Sequence, residues 1–209
     1  MRYLLLGFVL LACQSPHAEN NSLKPDAVSE TTSSPALLMK GLQHKVDSLC
    51  VELPAWLLQN GFNTQQVLIA DLSMHSGLPR MVLVDVVTGK ILDSGMVAHG
   101  AGGDAFAAEA RFSNTPNSYC SSAGKYKIGI KYPGRFGEAF KLHGLEKTND
   151  KAFERTVVLH AYDCVPDAIP YPQYICNSLG CPMVSYAFLK RIKKTIAASK
   201  QPMLLWILQ

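Results

Sequence analysis

The sequence lacks the features that mark several classes of protein. No apolar run reaches the roughly 20 residues that a membrane-spanning helix needs, and the N-terminal one covers only residues 4–12. No basic run is dense, and an excess of four positive charges in 209 residues is mild, which argues against nucleic acid as a partner. There is also no internal repeat and no Cys-x-x-Cys pair. The cysteine spacing therefore argues against a zinc site, although Cys164, Cys176, Cys181 and His160 remain a weak candidate ligand set.

The first residues have the layout of a bacterial export signal, with one basic residue, a short apolar run and then a polar stretch. Leu10-Leu11-Ala12-Cys13 resembles a lipobox, in which cleavage before Cys13 leaves a lipidated N-terminal cysteine. The alternatives are ordinary cleavage between residues 12 and 18, or an uncleaved anchor. We expect residues 1–12 to direct export, so that the body of the protein lies outside the cytoplasm and reaches the membrane only through an N-terminal lipid.

Residues 13–35 are polar and poor in large apolar side chains, which predicts a flexible tether. Residues 36–209 are long enough for one domain with a sizeable core. Ser34 and Pro35 are typical of a helix start. Helically spaced apolar residues then predict a helix over 35–49 and a further helical turn over 53–58 that ends at Asn60-Gly61.

The rest of the chain has the short apolar segments of strands. We predict strands over 67–70, 81–87, 91–97, 125–130, 139–142, 156–161 and 203–208, with the second and third forming a hairpin. Ser185 can cap a helix that follows Cys181. This pattern predicts a mainly β domain, a sandwich or partial barrel, with an N-terminal helix within 36–62, a β-rich core over 63–209 and a late helix. The long polar segments 98–123 and 162–179 are predicted to be functional loops.

Cysteine parity indicates a free thiol. If Cys13 belongs to the signal or its lipid, an odd number of cysteines remains in an oxidising compartment: Cys50, Cys120, Cys164, Cys176 and Cys181. A Cys164–Cys176 disulfide would brace the second loop, whereas a Cys176–Cys181 disulfide would block Cys181. The sequence leaves both pairings open.

Cys181 is the best candidate for a nucleophile, because a helix N-terminus would stabilise its thiolate. Its own backbone N–H or a neighbouring one could hold an oxyanion. His160, at the end of a predicted core strand, is the preferred base, and His99 and His143 are the alternatives. We interpret His17, His44 and His75 as ordinary surface or core residues.

His160, seventeen residues, and then Ser178-Leu179-Gly180-Cys181 resemble the active-site motif of the bacterial L,D-transpeptidase catalytic-domain family. That motif is a histidine followed by Ser/Thr-His-Gly-Cys at similar spacing. Segments upstream are similar to the branch of this family whose cysteine motif is Ser-x-Gly-Cys-Pro: Phe112 to Pro116, Ser121 to Gly124, Gly144 to Glu146, Asn149-Asp150 and Arg155. The resemblance covers roughly residues 67–209.

The resemblance implies a mainly β catalytic domain that acts on peptidoglycan stem peptides without cofactor or metal. It implies that Cys181 is the acylated nucleophile and His160 its base, oriented by the Ala161 carbonyl. It further implies that Gly180 and Cys181 supply oxyanion N–H groups, and that Ser178 shapes the turn or touches substrate. Asn114, Ser122 and Asn177 are candidate substrate-binding residues.

The implied reaction is a pair of acyl transfers. Attack on the third residue of a stem tetrapeptide releases D-alanine, and an amine or water then resolves the thioester. The sequence departs from the pattern at Leu179, where the common motif has histidine, at Asn177, where this branch has arginine, and at Pro182-Met183, where a polar pair is usual. The alternative is an inactive envelope-binding module of the same fold.

Overall fold

The structure, a computed structural model, describes residues 34–209, which form nine strands and two helices. None of the helices within that range is long and apolar enough to cross a membrane. The predicted export signal, the lipidation site Cys13 and residues 13–33 of the predicted tether lie outside the described residues. The elements are α1 (Pro35–Gln59), β1 (Gln66–Asp71), β2 (Met81–Asp85), β3 (Ile91–Gly95), β4 (Val97–Ala98), β5 (Gly124–Gly134), β6 (Gly137–Gly144), β7 (Val158–Ala161), β8 (Met183–Val184), α2 (Tyr186–Ala198) and β9 (Leu204–Leu208).

The sheet curls back on itself because its two edge strands are consecutive in the chain. The strand order is β3-β2-β1-β9-β5-β6-β7-β8-β4, and only Met96 separates β3 from β4. The end of one edge therefore lies next to the start of the other, which bends the sheet into a nearly closed barrel. The predicted mainly β fold of the partial-barrel kind, with an N-terminal and a late helix, is confirmed.

Alternate residues of β1 face two separate hydrophobic cores. Leu68 and Ala70 pack into the core that includes the buried face of α2. Val67 and Ile69 pack into the core that α1 covers. Successive strand residues point to opposite faces, so one short apolar strand anchors both helices.

The predicted N-terminal helix and the helical turn after it are one continuous helix, which corrects our division of this segment. α1 begins after Ser34, whose side chain accepts a hydrogen bond from the N–H of Leu37. Pro54 lies inside the helix, where proline costs about 3 kcal/mol. Leu53 and Leu57 on either side of it are buried in the core under α1, and this burial offsets the cost.

Most predicted strands are present with shifted ends, and two short strands were missed. β7 begins at Val158 rather than at Thr156, because Thr156 has a left-handed backbone with φ of 57°. Val97 does not continue the β2–β3 hairpin but pairs with Val184 of β8. The missed strands β4 and β8 matter for function, because β8 attaches the cysteine segment to β7.

Candidate active site

The pairing of β7 with β8 places the cysteine segment beside the strand that carries His160. The two strands are parallel, with His160 opposite Met183. Cys181 lies two residues before Met183, in the bend that leads into β8. The N–H of Val158, two residues before His160, donates to Sγ of Cys181 at 3.4 Å. The predicted nucleophile therefore contacts the start of the strand that carries the predicted base.

The Cys181 thiol is half-buried and bonded to the chain that enters β7. Its Sγ lies 3.7 Å from the carbonyl oxygen of Thr156, which accepts from the thiol. Burial raises the pKa of Cys181, while the N–H of Val158 and the charge of Arg155 oppose that rise. The site therefore holds a protonated thiol at rest, and the thiolate requires a base.

The thiol does not lie at a helix N-terminus, which corrects our prediction. α2 begins at Tyr186 with Ser185 as its N-cap, and β8 separates that cap from Cys181. The intervening chain is extended because it pairs with β7. The groups that favour the thiolate are the Val158 N–H and Arg155, not the dipole of α2.

His160 is held in one tautomer by its own strand. The ring is 4% exposed, and Nδ1 lies 3.0 Å from the carbonyl oxygen of Ala161. A carbonyl only accepts, so Nδ1 carries the proton and Nε2 keeps its lone pair. Burial lowers the pKa of His160, and the Ala161 hydrogen bond partly opposes this. The ring is therefore neutral at neutral pH and able to accept a proton at Nε2.

One aromatic side chain covers the His160 ring, and a second packs against the first. Phe136, at the tip of the β5–β6 hairpin, stacks on the imidazole with a centroid distance of 5.3 Å. The ring of Tyr162 packs edge-on against Phe136 at 5.0 Å. This cover keeps water from one face of the imidazole and is one source of the burial that lowers its pKa.

Gly180 is required by the shape of the cysteine turn. It has a φ of 111°, and a Cβ there would lie 2.8 Å from the carbonyl oxygen of Cys120. Its N–H already donates to Oγ of Ser178 at 3.1 Å. Of the two N–H groups proposed for the oxyanion, that of Gly180 is therefore engaged by Ser178, and Ser178 has a turn-shaping contact.

Asn114 and Ser122 are engaged in hydrogen bonds within the protein. The Asn114 amide donates to Asp150 at 2.6 Å and to the carbonyl oxygen of Lys147 at 3.0 Å. Ser122 is 2% exposed and accepts from Arg155 at 3.1 Å. Their substrate-binding roles stay predictions, and their observed contacts hold the loops of the site in place.

Arg155 ties the loop over 113–122 to the strand segment beside Cys181. Its guanidinium donates to the carbonyl oxygens of Ser113 at 2.8 Å and Cys120 at 2.7 Å. In the sequence, Arg155 is only one of the residues that resemble the family, and no role is predicted for it. Its charge also acts on the Cys181 thiol, so it belongs to the site.

His99, one of the alternative bases, has both ring nitrogens occupied. Arg80 donates to its Nδ1 at 2.6 Å, and the amide of Asn177 lies 2.8 Å from its Nε2. Burial and the charge of Arg80 lower the pKa of His99 to about 4, although the backbone carbonyls of Glu109 and Ala107 oppose this. His143, the other alternative, stacks on Phe153 at 5.0 Å.

One disulfide joins Cys164 to Cys176, twelve residues apart. Cys181 is free, as are Cys50 and Cys120 among the described residues. Of the two pairings that the sequence left open, the structure has the one that braces the second loop. The candidate nucleophile is therefore not blocked.

A cavity of about 340 Å³ opens beside Thr156 and Leu179, next to the cysteine turn. The three residues with a positive φ other than glycine within 34–209 all line it: Asn117, Tyr119 and Thr156. Strained backbone of this kind gathers at functional sites. Within the same range, no cluster of three or more His, Cys, Asp or Glu side chains could hold a metal ion.

Sequence reasoning missed several residues of this region. The sequence gave no indication of Arg80, because no sequence motif marks an arginine that becomes buried. Phe136 carried no signal either, because the pairing of β6 with β7 that brings it over His160 joins strands that are distant in sequence. The sequence predicts a strand from Thr156, whereas this residue has a left-handed backbone and precedes β7.

A model of the L,D-transpeptidase catalytic domain matches residues 39–206. Because this match covers most of the chain, the protein belongs to the L,D-transpeptidase catalytic domain family. No protein with curated annotation matches the sequence.

Several solved structures are similar to the chain at low identity. They include an L,D-transpeptidase from Xylanimonas cellulosilytica (15% identity, TM-score 0.38, 68% of this chain and 59% of that one). Another is an L,D-transpeptidase from Mycobacterium smegmatis (11% identity, TM-score 0.41, 69% of this chain and 59% of that one). A third is the helical cell shape determining protein Pgp2 from Campylobacter jejuni (15% identity, TM-score 0.41, 70% of this chain and 49% of that one). This chain thus spans about half to three-fifths of the length of these proteins.

Proposed function

We propose that the protein is a peptidoglycan L,D-transpeptidase that uses Cys181 as its nucleophile and His160 as its base. The observation that carries the proposal is a free, half-buried thiol that contacts the N–H of Val158, on the same strand as a neutral histidine of fixed tautomer. Family membership supports the reaction class. The substrate would be a stem tetrapeptide.

The first half-reaction forms a thioester. Nε2 of His160 takes the thiol proton, and Sγ of Cys181 attacks the carbonyl carbon of the third stem residue. The oxyanion would accept a hydrogen bond from the Cys181 N–H, because the Gly180 N–H is engaged by Ser178. His160 then returns its proton to the leaving amine, and D-alanine departs.

The second half-reaction resolves the thioester. An amine of a neighbouring stem attacks the acyl carbon, His160 accepts its proton, and the thiol is regenerated with a new 3–3 cross-link. If water attacks instead, the product is a shortened stem and the activity is that of a carboxypeptidase. The cavity beside Thr156 and Leu179 offers room for one of the two peptides.

The test compares wild type with Cys181→Ala on purified disaccharide tetrapeptide. We expect the wild type to release D-alanine and to form cross-linked dimers, and Cys181→Ala to lose activity by about 10⁴-fold or more, as when other covalent catalysts lose their nucleophile. Released D-alanine and dimers are quantified by liquid chromatography and mass spectrometry. Release without dimers would identify a carboxypeptidase.

Cys120→Ala is the matched control, because Cys120 is also a free, half-buried cysteine. We expect it to keep its activity. Failure of the wild type to release D-alanine would contradict the proposal and favour a non-catalytic envelope-binding module. Equal activity of wild type and Cys181→Ala would remove the assigned nucleophile.

We further propose that the domain works in the bacterial envelope outside the cytoplasm and that a lipid on Cys13 tethers it there. A Cys164–Cys176 disulfide supports an oxidising compartment. Fractionation of cells together with mass analysis of the mature N-terminus tests export and lipidation. A cytoplasmic protein with an intact N-terminus would contradict both.

A further inference from the structure

Thr156 has a left-handed backbone, with a φ of 57°, which is disfavoured for a β-branched residue. The N–H of Val157 donates to the carbonyl oxygen of Ala152 at 2.9 Å. The N–H of Thr156 donates to the carbonyl oxygen of Phe153 at 3.1 Å. These two bonds form a Schellman motif, in which the left-handed position is usually glycine. The chain therefore has threonine at a position where glycine would fold with less strain.

The backbone of Thr156 contacts the candidate nucleophile. Its carbonyl oxygen accepts from Sγ of Cys181 at 3.7 Å, and the N–H of Val158 donates to the same sulfur at 3.4 Å. Glycine could adopt the same φ and present the same carbonyl oxygen to the thiol. The contact with the thiol therefore accounts for the left-handed backbone but not for the threonine side chain.

The side chain of Thr156 is available to a ligand. The residue is exposed, and within residues 34–209 its hydroxyl has no hydrogen-bond partner. Together with Leu179, it lines the cavity of about 340 Å³ beside the cysteine turn. Covalent geometry keeps the hydroxyl within about 5 Å of the carbonyl oxygen of the same residue, and that oxygen contacts Sγ of Cys181. The hydroxyl is therefore close enough to contact a peptide that this sulfur attacks.

The two other non-glycine residues with a positive φ in the described part of the chain line the same cavity. Asn117 has a φ of 61° and Tyr119 a φ of 55°, and both lie on its wall. Arg155 holds their loop by donating to the carbonyl oxygen of Cys120 at 2.7 Å. Residues in sparsely populated backbone conformations persist where the surrounding structure holds them, and they gather where ligands bind. Their concentration around one cavity favours a ligand site there.

We propose that the hydroxyl of Thr156 forms a hydrogen bond with a peptide group of the stem that Cys181 attacks. A hydroxyl can donate to a peptide carbonyl oxygen or accept from a peptide N–H. The identity of the ligand rests on the proposed function. Thr156 is thus a substrate-binding residue, and its strained backbone is retained because glycine would offer the stem no hydroxyl.

The test measures binding of the disaccharide tetrapeptide in a Cys181→Ala background of the full chain. Thr156→Val keeps the shape and the β-branched strain of threonine but removes the hydroxyl. We expect it to weaken binding by more than 2-fold, in the range of about 3- to 10-fold for one lost hydrogen bond. Thr156→Ser keeps the hydroxyl and should bind within 2-fold of the background.

Thr148→Val is the matched control. Thr148 is an exposed threonine in the same polar segment, and its φ is not positive. We expect this variant to bind the tetrapeptide within 2-fold of the background, because Thr148 does not line the cavity.

Glycine distinguishes a binding role of Thr156 from a structural one. Thr156→Gly removes the strained side chain, so we expect weaker binding of the tetrapeptide together with a urea midpoint of unfolding at or above that of the background. Thr148→Gly should lower the midpoint, because glycine there only increases the entropy of the unfolded chain. If Thr156 only held the turn, Thr156→Gly would lose stability and binding together.

Binding by Thr156→Val within 2-fold of the background, or a lower midpoint in Thr156→Gly, would overturn the inference. A background protein that binds no tetrapeptide would overturn it as well. D-alanine release by the wild type decides the proposed function separately. A wild type that binds the tetrapeptide but releases no D-alanine would contradict the proposed function alone.

Discussion

His160 and His99 lie on either side of the cysteine turn, and the fold uses their rings in opposite ways. Arg80 and Asn177 occupy both nitrogens of His99. Within residues 34–209, the ring of His160 has one hydrogen bond, to the carbonyl oxygen of Ala161. Both are buried and neutral, so burial does not distinguish a base from a structural residue. The difference is one ring nitrogen that its neighbours leave unbonded.

The largest expected effect comes from the same substitution at both positions. His160→Gln removes the proton acceptor and should lower D-alanine release by about 10²- to 10⁴-fold. His99→Gln keeps one acceptor and one donor and should change release by less than about 5-fold. The measurement is kcat/KM on the tetrapeptide. If His99→Gln were the inactive variant, the comparison would be reversed and His99 would be the base.

The second prediction concerns stability in acid. The pKa of His99 is about 4 in the folded protein, against an ordinary value of 6.5, so the unfolded chain binds a proton first as the pH falls. Stability is therefore unaffected above pH 6.5 and falls by about 3 kcal/mol as the pH approaches 4.

Urea unfolding of wild type and His99→Gln at several pH values measures this loss of stability in acid. We expect the pH dependence of the unfolding free energy to be smaller by about that amount in His99→Gln. If the unfolding free energy depended on pH equally in the two proteins, His99 would not be buried as a neutral ring.

The smallest expected effect is a change in the pH profile. Phe136 covers the His160 ring, and burial lowers the pKa of His160. Phe136→Ala should admit water, raise that pKa and move the acidic limb of kcat/KM to higher pH, because the protonated ring cannot act as a base. Phe153→Ala, which uncovers the similar stack on His143, is the control and should leave the limb unchanged.

Local sequence patterns predicted much of the fold. Ser34 and Ser185 are the N-caps of the two helices, because capping depends on a few neighbouring atoms. The short apolar segments could be predicted as strands because the pattern of apolar residues is visible within each segment alone. The break placed between residues 49 and 53 was wrong, since the core under α1 buries Leu53 and Leu57 and overrides the local effect of Pro54.

The site was predicted less completely than the fold. Cysteine parity and the His160 to Cys181 spacing selected the two central residues, and the thiol contacts the strand that carries the histidine. The supposed helix N-terminus at Cys181 was wrong, because two residues of pairing with β7 hold the chain extended there. Such a short strand has no periodicity for a sequence pattern to reveal.

The sequence by itself determined the candidate nucleophile and base and the odd number of cysteines after the predicted signal. It also determined the N-caps of the helices and the spacing of apolar residues in the main helices and strands. Only the tertiary structure decided which cysteines pair, which histidine keeps a free nitrogen and where Arg80 lies. The physical reason is distance along the chain. Arg80, His99 and Asn177 are far apart in sequence. Their hydrogen bonds exist only because the nearly closed sheet brings the start of β2, the end of β4 and the cysteine turn together.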